Sequence, residues 1–288
     1  MFQQEWEVLI VDDDPDVLAV SRLALRGVKV WGVPLKLHTC ASMAEAMALF
    51  NTKADLLPSL AVALVDVVME TDSAGLDLCR YVREERKNAL TQLFIRTGQP
   101  GIAPERSVID RYDINGYFTK AEATEDKLYS MIKSGVRQYY WSAFALGSGA
   151  MVRLVADQIG SRAAIANTIQ QHYDAAFQDR SGAQVESYAN IRIASIFDGE
   201  VAALSGWDKA SALAACDRLK ALPGVPLGLK GDEYVIDDEH RLLIKVAARP
   251  NVAEAYIVAT LTFRVPEFVP EVLYNELAAV ASIWRFSK

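Results

Sequence analysis

Two short apolar runs end in acids: Val8-Leu9-Ile10-Val11 runs into Asp12 and Asp13, and Leu64-Val65 runs into Asp66. Parallel strands buried on both faces read as continuous apolar runs. In open α/β sheets, chemistry gathers outside the carboxyl ends of such strands. If the two runs are neighbouring parallel strands, Asp12, Asp13 and Asp66 converge on one negative pocket. Carboxylates that close repel one another unless a cation sits among them. Mg²⁺ suits such a site, because it takes one or two carboxylates, keeps several waters and meets phosphate. A carboxylate there can also act as the nucleophile that receives a phosphoryl group. The alternative is that Asp12 to Asp14 cap a helix and Asp66 only ends a strand. Two further residues follow in chain order: Thr97 after Leu93-Phe94-Ile95-Arg96, and Lys120 after Gly116-Tyr117-Phe118-Thr119. A hydroxyl donor and an ammonium at the same rim would complement a phosphoryl group.

The acid pair, the later acid, the threonine and the lysine at successive strand ends together resemble the receiver domain of two-component response regulators. The resemblance implies a flavodoxin-like (βα)5 fold with five parallel strands and five helices. Asp66 then matches the phospho-acceptor. Asp12, Asp13, Asp66 and the backbone carbonyl of Val68 match the contacts of a Mg²⁺ cofactor. Thr97 and Lys120 match the pair that senses the phosphoryl group, and Tyr117 matches the aromatic switch position. Two departures stand out. The stretch Met69-Glu70-Thr71-Asp72-Ser73-Ala74-Gly75 lacks the usual proline and runs long, with Glu70 and Asp72 expected to add negative charge beside the site. Ala121 stands where a proline usually follows the lysine, so the common cis bond is not implied.

The wording around Asp66, at Arg96 to Gly101 and at Tyr112-Asp113-Ile114-Asn115 resembles one subfamily of receivers. There the receiver precedes a small domain similar to GAF sensor domains, and an HD-GYP cyclic-di-GMP phosphodiesterase domain commonly follows. The implied organisation is a receiver over residues 1–137, then a helical linker plus GAF-like α+β domain over 138–288. No His-Asp motif of an HD domain is visible, and the chain is expected to end after Trp284 without room for one.

Composition bounds the rest. A length of 288 residues suggests two domains, and 51% hydrophobic residues suits a globular chain. The net charge of -7 argues against nonspecific binding to nucleic acid or anionic membranes. Cys40, Cys79 and Cys216 lack metal-ligand spacing, so reduced thiols and a cytoplasmic location are expected. The N-terminus does not read as a signal peptide, and no apolar run approaches membrane-spanning length.

Helical spacing covers residues 15–28, with Val17, Leu18, Leu23 and Leu25 as the apolar positions and Pro15 at an early helical position. Leu35 and Leu37 mark a strand, and Ser42 with Glu45 forms a capping box opening the helix Met43 to Phe50. Leu60 to Val65 is a central strand, and Gly75 to Glu85 a helix with Leu76, Leu78, Cys79 and Val82 inward. Gly98-Gln99-Pro100-Gly101 is a turn, followed by a helix from Arg106 to Tyr112 and a strand from Gly116 to Thr119. Helical spacing then runs from Thr124 through Leu128, Met131, Ile132, Val136 and Tyr139. It is expected to break at Gly147-Ser148-Gly149 and to resume over Met151 to Phe177, with Val152, Val155, Ile159, Ile165 and Ile169 inward. These read as two packed helices or as a signalling helix that pairs between subunits. A continuous coiled coil is not supported, because no strict heptad persists.

Beyond, Tyr188 to Phe197 and Glu200 to Leu204 flank the hairpin signal Asp198-Gly199. Lys209 to Leu222 is a helix capped by Asp208, Arg241 to Ala247 and Ala253 to Phe263 are strands, and Val269 to Trp284 is a closing helix. Asp237-Asp238-Glu239-His240 is the best metal candidate here, but consecutive turn residues do not converge on one ion and a solvated loop is favoured. Cys216 sits among helical core positions, and His172 has no partner at catalytic spacing.

The expectation is a response regulator phosphorylated on Asp66 by a sensor histidine kinase or phosphotransfer protein. Its output would be a conformational change, homodimerisation or contact with a downstream protein effector, in cyclic-di-GMP signalling by the resemblance. It is not expected to be an enzyme beyond its own phosphoryl transfer and dephosphorylation. Alternatives are a constitutive interaction or dimerisation module whose receiver does not cycle, and a small-ligand sensor acting through the GAF-like domain. A metal-dependent phosphatase using Asp66 is disfavoured, because Val68 stands where its second acid would be.

Overall fold

The computed structural model describes residues 5–98, 105–177, 191–261 and 269–288, with the side chains of 105–107 and 148 left aside. The chain divides into two units, Gln3–Ala143 and Phe144–Lys288.

The first unit runs β1 (Trp6–Val11), α1 (Pro15–Ala24), β2 (Lys29–Val30), β3 (Val33–Cys40), α2 (Met43–Thr52), α3 (Leu56–Ser59), β4 (Leu60–Asp66), α4 (Ala74–Arg80), β5 (Gln92–Thr97), α5 (Glu105–Tyr112), β6 (Gly116–Thr119) and α6 (Glu125–Ala156), the last reaching into the second unit. The sheet order is β2-β3-β1-β4-β5-β6. All neighbours from β3 to β6 are parallel, and β2 folds back antiparallel on the outer edge of β3. This is the flavodoxin-like order, with one edge strand added. Alternation along β4 sends Ala63 and Val65 into a core with Phe50, Leu78 and Cys79. It sends Val62 and Leu64 into the opposite core with Leu128, Ile132 and Val136 of α6. Both faces are covered, which is why β4 is apolar from Leu60 to Val65. At Gly135 a Cβ would lie 2.8 Å from Val62 Cγ2 and 2.9 Å from Phe94 Cε2, so only glycine lets α6 settle on the sheet.

Local chemistry explains the helix ends. Asp14 caps α1 by accepting from Asp16 N and Val17 N, with Pro15 opening the helix. The helix stops at Ala24, short of the expected residue 28, because the chain turns back through Gly27 into β2. Leu23 is 70% exposed, so its place in the apolar set does not hold. Ser42 caps α2 through Glu45 N, but Glu45 returns its bond to Ala41 N rather than to the cap residue. After α4 the backbone widens into a π turn over Tyr81–Glu85.

The second unit contains the end of α6, then α7 (Arg162–Phe177), β7 (Arg192–Phe197), β8 (Glu200–Ser205), α8 (Lys209–Lys220), β9 (Val225–Pro226), β10 (Glu233–Ile236), β11 (Arg241–Val246), β12 (Ala255–Thr260) and α9 (Val269–Arg285). Its sheet is antiparallel, in the order β8-β7-β12-β11-β10-β9. One face carries Ile193, Phe197, Leu242, Ile244 and Ile257 against α7 and α9, with Phe197 stacked on Trp284 at 4.8 Å. The other carries Ala194, Ile196, Leu243 and Val258 against Ala212, Cys216 and Leu219 of α8. The β7–β8 turn places Asp198 at φ 49° and Gly199 at φ 82°, the two positive angles that an Asp-Gly hairpin favours. Strands β2, β9 and β10 are additions to the sequence reading; two are only two residues long and carry no alternation to read.

The expected break at Gly147-Ser148-Gly149 is absent, and α6 continues through it to Ala156. Each glycine costs about 1 kcal/mol against alanine in a helix, too little to overrule packed turns on either side. The break falls instead at Gly160, φ +104°, with Ser161 opening α7 by accepting from Ala164 N. Ile159 lies in that turn and is 63% exposed, not inward. Residues Gln99 to Gly101, Tyr188 to Asn190 and Thr262 to Phe263, which entered the expected turn and strands, lie outside the described residues. No helix among the described residues is long and apolar enough to cross a membrane.

Candidate functional site

Val11 pairs with Val65 across β1 and β4, so Asp12 and Asp66 stand side by side at the carboxyl ends of adjacent parallel strands. One carboxylate oxygen from each of Asp12, Asp13 and Asp66 lies within 4.8 Å of the other two. Asp12 and Asp66 are buried and Asp13 is exposed. Lys120, just past β6, reaches over both buried acids, with Nζ 2.6 Å from Asp66 Oδ2 and 3.0 Å from Asp12 Oδ1.

The two buried acids are held differently. Asp12 Oδ1 also accepts from Asp14 N at 3.0 Å, and its Oδ2 accepts from Arg96 Nη2 at 3.0 Å. Asp66 has Lys120 on Oδ2, while its buried Oδ1 has no hydrogen-bond partner among the described residues. Burial pushes the Asp66 carboxyl above its ordinary range, with the charge of Asp12 adding to the effect and Lys120 opposing it. Burial acts to lower the Lys120 pKa, but its bonds to Asp66 and Asp12 together hold it raised, so the ammonium stays charged.

The other expected site residues gather nearby. Thr97 is buried at the end of β5, in register with Thr119 of β6. Tyr117 is half-buried on β6, opposite Ile95. Val68 is half-buried in the loop after β4. That loop is pinned by Gly75 N donating to Val67 O at 3.0 Å and Met69 N to Thr71 O at 3.1 Å. A Cβ on Gly75 would fall 1.8 Å from the Asp66 carbonyl oxygen, so the loop closes only over glycine. Glu70 corrects an expectation: it spends its charge on α2, accepting from Met43 N and Ala44 N at 3.2 Å each. Amides at a helix start lack intrahelical partners, and a carboxylate there is stabilised by the helix dipole.

Three hard oxygen ligands in this span, one with an unsatisfied buried oxygen, suit a divalent cation. Sequence reading missed the parts that Arg96, Ser21 and Gly75 play at this site. Arg96 left a signal, as the one charged residue of β5, directly after the apolar run Leu93-Phe94-Ile95.

Among its described residues the second unit offers no comparable group. Asp237 accepts from Glu239 N and Arg241 N and pairs with Arg241 Nε at 2.5 Å, a closed turn. The only group of acids, histidines or cysteines close enough for a metal among the described residues is Asp12, Asp13 and Asp66. Cys216 is buried on the sheet-facing side of α8, its thiol pushed up to about 11 chiefly by burial. A cavity of about 20 Å³ near Tyr173, Ser195 and Glu276 has room for one water.

No protein-family model matches the chain. Over 137 residues it is 47% identical to 3'3'-cGAMP-specific phosphodiesterase 2 of Vibrio cholerae serotype O1, a match covering 48% of this chain and 26% of that protein. The chain thus spans about a quarter of the length of this relative. The expectation that the chain is not an enzyme does not stand against this match, since the relative is named for a phosphodiesterase activity. Among solved structures, the signal receiver domain of an HD domain-containing protein from Pseudomonas fluorescens Pf-5 aligns with a TM-score of 0.42 and 15% identity, covering 50% of this chain and 95% of that one. A signal receiver domain from Clostridium thermocellum aligns at 0.38 and 16%, covering 46% and 97%. The first unit of this chain has a parallel, flavodoxin-like α/β sheet, and a second α/β unit follows it.

Proposed function

We propose that this chain is a two-component response regulator that takes a phosphoryl group onto Asp66 from a histidine kinase or phosphotransfer protein, and that this event governs a cyclic-dinucleotide phosphodiesterase function. The observation carrying the first part is the Asp66 carboxylate itself, buried, with one oxygen on Lys120 and the other unpartnered, beside two more acids. In the transfer, a carboxylate oxygen of Asp66 attacks the phosphorus of a phosphohistidine. The new P–O bond forms as the P–N bond breaks, and its electron pair leaves with the imidazole, which takes a proton from water. Asp12, Asp13, Asp66 and the Val68 carbonyl would hold Mg²⁺, which would neutralise the phosphoryl charge. Lys120 pairs with a phosphoryl oxygen, and the Thr97 hydroxyl donates to another. Tyr117 follows Thr97 inward, biasing a two-state surface that a downstream protein or a second copy of the chain reads.

The phosphodiesterase part rests on the 47% identical relative. The second unit is read as GAF-like, supported by its six-stranded antiparallel sheet with α7 and α9 on one face and α8 on the other. The test is phosphoryl uptake from a small acyl phosphate donor, followed on a phosphate-affinity gel with Mg²⁺ or with a chelator. One phosphoryl group per chain, abolished by the chelator, is expected; uptake indifferent to the chelator contradicts the proposed site. Hydrolysis of 3'3'-cGAMP by the phosphorylated and unphosphorylated protein tests the second part, and equal rates contradict it.

A further inference from the structure

We infer that Arg96 is a second, permanent cation of the acidic pocket, one that holds Asp12 in place without a metal ion and weakens the pocket's grip on that ion. This rests on the reading of Asp12, Asp13 and Asp66 as a divalent-cation pocket. Arg96 pairs in register with Asp66 across β4 and β5. Alternation along each strand then puts both side chains on one face of the sheet. The side chain is 2% exposed. Its guanidinium reaches past Asp66, with Nη2 3.0 Å from Asp12 Oδ2 and Nη1 donating to Ser21 Oγ at 2.8 Å. Ser21 is itself buried and donates to Val17 O at 2.7 Å, so the guanidinium also fastens α1 to the site. Arg96 Nε is buried without a hydrogen-bond partner among the described residues.

A guanidinium does not give up its proton in a protein, so this charge is always present. With Lys120, it leaves the three acids with a single net negative charge rather than two. Asp12 therefore needs no metal for compensation: its Oδ2 has Arg96, and its Oδ1 has Lys120 and Asp14 N. Burying such a pair is tolerated only where further hydrogen bonds satisfy it, which Ser21 provides. A divalent ion entering here meets ligands already in position but also a fixed positive charge one ion pair away. Arg96 thus trades affinity for order, as a positioning residue acting on the ion through Asp12.

The test is a calorimetric Mg²⁺ titration of the full chain as wild type, Arg96→Gln and Arg96→Lys, with native fold checked by circular dichroism. Removing the charge is expected to tighten Mg²⁺ binding on the order of tenfold, the scale of one unit charge across a partly screened pocket. Arg96→Lys, which keeps the charge, is expected to stay near wild type. A folded Arg96→Gln that binds Mg²⁺ no more tightly than wild type overturns the inference. If Arg96→Gln does not fold, the wild type decides by NMR. Its Arg96 Nε–H resonance, identified by its loss in Arg96→Lys, is expected to shift saturably with Mg²⁺, and an unmoved resonance overturns the inference. A wild type that binds no Mg²⁺ at all overturns the pocket reading itself, and this inference with it.

Discussion

Asp66 in the first unit and Asp232 in the second are both almost fully buried, at 3% and 2% exposure, yet their surroundings set them to opposite tasks. Asp232 is partnered on both oxygens. Its Oδ1 takes Ala247 N at 2.8 Å and pairs with Arg249, and its Oδ2 takes the Tyr274 hydroxyl at 2.7 Å. Burial acts against its charge, but these partners together hold its carboxyl below the ordinary range. Asp66 keeps an oxygen unpaired and a carboxyl raised above the range. A buried carboxylate with both oxygens partnered ties a loop, a strand and a helix together. One with an oxygen left unpartnered costs stability and is free to react.

Breaking each side of this contrast gives effects of different size. Asp232→Ala leaves Arg249 and Tyr274 without their buried partner and is expected to destabilise the second unit by about 3–5 kcal/mol, measured by denaturant unfolding. Gly75→Ala pushes a methyl group into the Asp66 backbone, costing about 1–3 kcal/mol as the loop gives way. Phosphoryl uptake should slow with it. Glu70→Ala uncovers the first amides of α2 and is expected to cost about 1 kcal/mol, read from the same unfolding curves. Gly147→Ala sits in a helix interior with nothing within 4 Å of its Cβ and is expected to stabilise by about 0.5–1 kcal/mol.

The two aspartates also respond to pH with opposite sign. The lowered carboxyl of Asp232 contributes stability above the ordinary carboxylate range, lost as pH falls through its folded pKa. Unfolding of the second unit followed from neutral to strongly acid pH should show this loss, and Asp232→Asn should remove that part of the slope. The raised carboxyl of Asp66 favours folding at low pH, and that gain is lost as pH rises through its folded pKa. Asp66→Asn should therefore raise the melting temperature at neutral pH while leaving it unchanged in acid.

How much of this was legible follows from the range of the interactions. Acids, a threonine and a lysine at strand ends could be read because a parallel sheet brings strand ends together whatever lies between. Arg96 was harder, since its reach to Asp12 and Ser21 depends on side-chain length beneath the sheet, not on strand order. Glu70 looked like excess charge beside the site because nothing local reveals that the start of α2 lies across from it. Asp232, Arg249 and Tyr274 carry no motif at all; they meet only when a loop, a strand end and the closing helix are folded. Gly147 and Gly149 misled because local propensity is weak against the packed turns around it.

The most direct test exposes the full chain to a small phosphodonor with Mg²⁺ and maps the label by peptide mass spectrometry after borohydride trapping, in wild type and in Asp66→Asn. The account predicts one phosphoryl group, on the peptide carrying Asp66, and no label in the variant. Label persisting in Asp66→Asn, or falling on any other acid in wild type, would contradict it.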